Sequence, residues 1–162
     1  MRTPRAAEEL RFYLEGQLLK SSLEIPADGE YEPAYTGRVL SPFLKSRLLL
    51  RVKSRNIHFH GDGLSVRAYS RALLGLKFFP DIAILEGKDK YWCAEVKMVR
   101  NGLSGDLLSK AIGQAAIYRK EFPFVTIILV RADLKSSGLS NTTEVFDDWL
   151  DIVQIRSFSN HK

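Results

Sequence analysis

Cysteine is nearly missing from this chain: Cys93 is the only one among 162 residues. One thiol excludes an intramolecular disulfide framework and any four-cysteine zinc or iron–sulfur site built within one chain. Long apolar runs are missing too. The longest, Phe122 to Val130, falls far below the roughly 20 residues that cross a bilayer as a helix, so no membrane partner is expected. Met1 to Leu10 mixes arginines with glutamates and lacks the apolar core of a secretory signal. An intracellular protein, in cytoplasm or nucleoid, is the expectation. Acids are scarce in one segment in particular. Between Arg38 and Lys77 nine basic residues stand against one acid, Asp62, so this quarter of the chain carries more than the whole chain's net charge of +5. A concentrated basic stretch is the footprint of a polyanion binder, and equally of a solvated basic face.

What remains is ordinary for a globular protein: 45% hydrophobic and 27% charged residues, enough to bury one core and too few residues for two. No repeat or low-complexity tract interrupts it. From Pro4 to Leu23 the residues Ala7, Leu10, Leu14 and Leu18 recur at helical spacing, and Thr3-Pro4 supplies a helix start. Ile25 to Gly37, with two prolines and two glycines, reads as a connector. Pro42 to Val52 reads as a short helix. Ile57 to Phe59 and Leu64 to Tyr69 read as strand pieces around Gly61-Asp62-Gly63.

Phe78 to Leu85 and Tyr91 to Val99 are apolar and rich in β-formers, separated by Glu86-Gly87-Lys88-Asp89-Lys90, which predicts a hairpin. A helix over Leu103 to Lys120, a buried strand over Phe124 to Val130, a helix over Asn141 to Asp151 and a strand over Ile152 to Ile155 complete the reading. The succession predicts an α/β fold, a mixed β-sheet flanked by helices, with an αβββαβ core in a single domain.

A turn centred on Lys88 sets Asp81 opposite Glu95. Strand side chains alternate, so Glu95 and Lys97 share the side of the sheet to which Asp81 points. Two carboxylates and one ammonium therefore converge among apolar neighbours such as Ile82, Ala83, Cys93 and Ala94. Cross-strand carboxylates repel unless a cation lies between them. A divalent metal answers that need, as does a structural ion pair of Lys97 with either acid.

Phe79-Pro80-Asp81, thirteen residues, then Glu95-Val96-Lys97 resembles the PD-(D/E)xK nuclease superfamily of restriction, homing and junction-resolving endonucleases. The resemblance implies a restriction-endonuclease-like fold, with metal held by Asp81, Glu95 and the carbonyl of Val96, and Lys97 beside the attacked phosphate. It implies Mg2+ as cofactor, with Mn2+ as a substitute. Many members also carry a first-helix glutamate at the metal site, for which Glu15 is the choice here. Gln114-Ala115-Ala116-Ile117-Tyr118 is similar to the glutamine-x-x-x-tyrosine element of several branches, which assigns Gln114 to the site and Tyr118 to the nucleic-acid backbone. The Cas4-like subgroup needs cysteine-ligated clusters and is excluded.

The activity so implied is magnesium-dependent endonucleolytic cleavage of double-stranded or branched DNA. Arg47, Arg51, Lys53, Arg55, Arg67 and Arg71 are the candidate phosphate contacts, and a homodimer or higher homo-oligomer would cut both strands. Two alternatives stand beside it: a nucleic-acid-binding module without hydrolysis, and a nuclease of this fold acting on RNA or single strands. His58 and His60 form a His-x-His on an expected strand, but no third ligand has recognisable spacing.

Overall fold

A computed structural model describes residues 4–51, 57–59, 71–86, 88–134 and 139–156. Among the described residues six strands form one mixed sheet, in the order β1 (Ile57–Phe59), β4 (Ile82–Glu86), β5 (Asp89–Val99), β6 (Phe124–Arg131), β8 (Leu150–Ile155), β7 (Thr142–Asp147), and β2 (Arg71–Leu73) and β3 (Leu76–Phe78) form a separate hairpin. The chain runs through helix α1 (Pro4–Leu19), helix α2 (Glu32–Tyr35), a π-helical turn (Thr36–Leu40), helix α3 (Ser41–Leu48) and strand β1 (Ile57–Phe59). Strands β2 (Arg71–Leu73), β3 (Leu76–Phe78), β4 (Ile82–Glu86) and β5 (Asp89–Val99) follow. Helix α4 (Gly105–Arg119) and strands β6 (Phe124–Arg131), β7 (Thr142–Asp147) and β8 (Leu150–Ile155) complete it. Within this order α1, β1, β4, β5, α4 and β6 give the expected helix, three strands, helix, strand. The sheet is antiparallel over β1, β4 and β5, then parallel from β5 to β6 and from β6 to β8. Helix α4 is the crossover that a parallel β5–β6 pair requires.

The sheet has two covered faces. Alternate residues of β5 separate them: Trp92, Ala94 and Val96 pack with Leu10, Leu14 and Leu18 of α1, whereas Cys93 packs with Ala111, Ala115 and Tyr118 of α4. Strand β6 is buried along both faces, which explains why its sequence runs apolar without alternation. Helix α4 begins where the Ser104 hydroxyl accepts the Leu107 N–H at 3.1 Å, an N-cap.

Four expectations are corrected. Helix α1 stops at Leu19 rather than Leu23, because Ser21 and Asn141 take over its last carbonyls. The Ser21 hydroxyl donates to the Leu18 carbonyl at 2.6 Å and the Asn141 amide to the same oxygen at 2.9 Å. The connector is helical from Glu32 onward, Pro33 standing in the first turn where its missing N–H costs nothing. The expected strand Phe78 to Leu85 is broken at Phe79-Pro80-Asp81, so β3 belongs to the small hairpin and only β4 enters the sheet. Finally, Asn141 to Asp151 is not a helix but the hairpin β7–β8. Its helix-like apolar residues Val145 and Phe146 lie exposed, while β-branched Thr142, Thr143 and Val145 suit an edge strand. The segment 64–69 and His60 lie outside the described residues, and of His58 only the backbone in β1 is described. Among the described residues no helix is long and apolar enough to cross a membrane.

Candidate active site

Strands β4 and β5 pair as the sequence predicts where it matters, with Ile82 opposite Ala94, Ala83 opposite Cys93 and Ile84 opposite Trp92. A bulge after Ile84 shifts the register only toward the turn, where Glu86 meets Asp89. One step beyond Ile82, Asp81 continues this register toward Glu95.

Strand β4 starts at Ile82, so among the described residues β5 beyond Ala94 has no strand paired on that edge. Carboxylates fill the gap. The Val96 N–H donates to Asp81 Oδ2 at 2.6 Å, and the Met98 N–H donates to Glu32 Oε2 at 2.9 Å. An N–H and a C=O of one strand residue point to the same edge, so the Val96 carbonyl turns toward these two acids. Glu95 lies on the α4 face, its Oε1 3.2 Å from Lys97 Nζ; its Oε2 is buried and makes no hydrogen bond of ordinary length among the described residues, with the Tyr118 phenol beside the carboxylate.

Asp81, Glu95 and Glu32 thus lie near one another, with Lys97 against Glu95. Burial first, then the charge of nearby Glu32, pushes Asp81 up to about 6, against the pull of the Val96 N–H and Lys97. Burial and the neighbouring Asp81 charge push Glu95 up to about 8, with Lys97 opposing. Above that range the cluster carries more negative charge than Lys97 offsets, and buried charge of one sign is costly without a counter-charge. The donors are all hard oxygens, and magnesium commonly takes one or two carboxylates with waters and substrate oxygens. Asp81, Glu95 and the Val96 carbonyl fit such an ion. Among the described residues no group of three or more His, Cys, Asp or Glu side chains is drawn tightly enough to hold a metal by itself.

Helix α4 roofs this face. Burial, Glu95 and Asp81 together raise the Tyr118 phenol well above its ordinary value, which sets Tyr118 against the two acids. Gln114 stands one turn earlier on α4, its Oε1 buried and without a hydrogen-bond partner among the described residues.

Glu15 is elsewhere. It lies on the α1 face, separated from Asp81 and Glu95 by the sheet. The Trp92 indole N–H donates to Thr126 Oγ1 at 2.8 Å, and that hydroxyl donates onward to Glu15 Oε2 at 2.6 Å. Burial and the adjacent Asp151 carboxyl push Glu15 up to about 9. The acid that approaches Asp81 and Glu95 from the helical layer is Glu32. The Glu32-Pro33 pair was the available signal, since it marks a helix start inside what otherwise reads as a connector.

Glu15 gives a pH dependence. Its native value lies above the ordinary 4.5, so its contribution to stability is complete below about 4.5 and is lost as pH rises toward about 9, by up to about 1.4 kcal/mol per pH unit. Glu15→Gln keeps an acceptor for Thr126 and removes the titration. Melting curves from pH 5 to 9 should fall less steeply for the variant, with the gain confined to the alkaline side; parallel curves would refute this reading.

Of the expected phosphate contacts, Arg47 and Arg51 lie by the α1–α3 layer, stacked on Phe43 at 5.1 Å and on Tyr13 at 3.9 Å. Arg38 is bound by Glu24 at 2.7 Å and Glu30 at 2.8 Å, so its charge is already matched. Lys53, Arg55 and Arg67 lie outside the described residues, and for Arg71 only the backbone in β2 is described. Compared with known proteins, the chain matches no family model, no curated protein and no solved structure.

Proposed function

We propose that this chain is a metal-dependent phosphodiesterase that cuts DNA endonucleolytically, in the manner of the PD-(D/E)xK nucleases its motif resembles. One observation carries the reading: half-buried Asp81 and buried Glu95 lie close together with Lys97 as their one ammonium among the described residues, which leaves negative charge unmatched when both are ionised. A bound Mg2+, or Mn2+ in its place, held by Asp81, Glu95 and the Val96 carbonyl, would polarise the scissile phosphate and acidify a water. The chain's own residues do the rest. Asp81 is fixed by its bond from the Val96 N–H, and Glu32 by its bond from the Met98 N–H. Lys97, held against Glu95, orients the attacking water and offsets the charge that builds on the phosphate. Tyr118 and Gln114 close the site from α4 and keep bulk water from the carboxylates.

Cutting both strands of a duplex with one site per chain calls for a homodimer. The basic residues between Lys45 and Lys77 supply the phosphate contacts that position a duplex without specifying its sequence. A second reading draws on the Lys97–Glu95 ion pair at 3.2 Å: a structural bridge in a nucleic-acid-binding module that does not hydrolyse. A nuclease of the same fold acting on RNA or single strands is the third.

Supercoiled plasmid incubated with protein plus magnesium, manganese or chelator separates them. Nicking or linearisation that needs the metal and disappears in Asp81→Asn is the expected result. Binding without cleavage of plasmid, branched DNA or RNA under every condition would replace the nuclease with the binding module.

A further inference from the structure

The hairpin β2–β3 stands apart from the six-stranded sheet. Leu73 pairs with Leu76, leaving Leu74-Gly75 as a two-residue turn with φ +53° and +77°. Two positive φ values make a type I′ turn, which favours asparagine, aspartate or glycine at its first central position. A leucine there is strained by its Cβ. Among the described residues nothing packs over it, since Leu74 is 94% exposed, with Leu76 at 64% and Leu73 at 42% on either side. The tip therefore holds three leucines in water on a backbone that disfavours the outermost one. Strain of this kind persists where it serves a task.

The position of the tip indicates that task. Exposed Lys77 follows the leucines, at the end of the acid-poor segment. Leu74 precedes Asp81 by seven residues, a reach of at most about 25 Å, less than one turn of duplex DNA. An apolar point beside the cationic Lys77, tied to the first carboxylate of the site, matches the chemistry of base pairs flanked by phosphates.

We propose that the β2–β3 hairpin is a wedge that inserts Leu74, supported by Leu76, between stacked bases of a nucleic-acid duplex. The inference rests on the nuclease reading and deepens it: the substrate is a duplex kinked or already opened within one helical turn of the cut. Apolar side chains inserted at a base step unstack it and bend the helix.

The test uses the whole protein in chelator, so that nothing is cut, with duplex and branched DNA carrying 2-aminopurine at successive positions. Leu74→Asn is the informative variant, because asparagine tolerates the turn and keeps the hairpin. Wild type should brighten the probe at one step. Leu74→Asn should abolish that signal and weaken binding about tenfold to a hundredfold, with an unchanged melting temperature or a higher one. The slope of affinity against salt should stay the same, since the phosphate contacts remain.

Unstacking and affinity that survive in Leu74→Asn overturn the wedge, and metal-dependent plasmid cleavage by wild type then shows that the nuclease reading stands without it. A wild type that binds no duplex in chelator and cuts none with magnesium overturns both. A variant that changes only from dimer to monomer in sedimentation assigns the hairpin to an interface between copies and also overturns the wedge.

Discussion

Lys97→Ala is expected to lower the metal-dependent cleavage rate by about a hundredfold to a thousandfold, the loss found when one preorganised charge donor is removed from a reacting centre. The same variant should still bind DNA and should bind magnesium at least as well, because the change removes a positive charge beside Glu95. This combination separates two roles. A lysine that only bridges Glu95 at 3.2 Å would, when lost, leave a buried carboxylate uncompensated and lower stability, yet cleavage corrected for the folded fraction would remain. A lysine that works on the phosphate loses rate while metal binding persists. Single-turnover cleavage beside magnesium titration, with Lys97→Met to preserve the stem, distinguishes them. Wild-type rates in both variants would end the assignment.

Arg11→Ala should destabilise the protein by about 3–5 kcal/mol, the cost of breaking a buried ion pair from one side. Arg11 and Asp151 have side chains only 4% and 5% exposed, with Nε and Oδ2 3.8 Å apart. The guanidinium also donates to the Asp148 carbonyl at 3.1 Å and lies over Phe124 at 4.4 Å. Its loss removes packing as well as charge and strands Asp151 beside Glu15. A chain of this length should melt roughly 6–20 °C lower. Adding Asp151→Asn should restore a large part of the loss, since the stranded charge is then gone. A double variant no better than Arg11→Ala would mean that the arginine acts through its stacking on Phe12 and Phe124 rather than through the pair. Cleavage should follow the folded fraction in all three proteins, because this network lies across the sheet from Asp81.

Glu15 and Glu32 show where reading the chain alone failed. Both are glutamates near helical segments, and the choice between them depends on which face of the sheet each helix covers. Helix periodicity says that Glu15 turns inward with Leu14 and Leu18; it says nothing of whether α1 lies on the side of Trp92 or of Cys93. The tail failed for a related reason. Val145, Phe146 and Trp149 have helix-compatible spacing, but the edge of the sheet offered backbone pairing to β8, and tertiary pairing overrides a short local preference. In contrast, Asp81, Glu95 and Lys97 were legible because the period of a strand and the pairing of a hairpin are local rules. Three consecutive pairs from Ile82 to Ile84 obey them.

The order of the main helices and strands, the β4–β5 hairpin and the meeting of two acids with one lysine are already written in the chain. Each of these follows from periodicity, turn chemistry and the spacing of neighbours in the chain. Only the tertiary structure decided that Glu32 joins them and Glu15 does not. It also decided that the unpaired edge of β5 is filled by carboxylates, and that a strained leucine tip stands free of the core. Those outcomes depend on which segments distant in sequence share a face of the sheet, and no local rule contains that information.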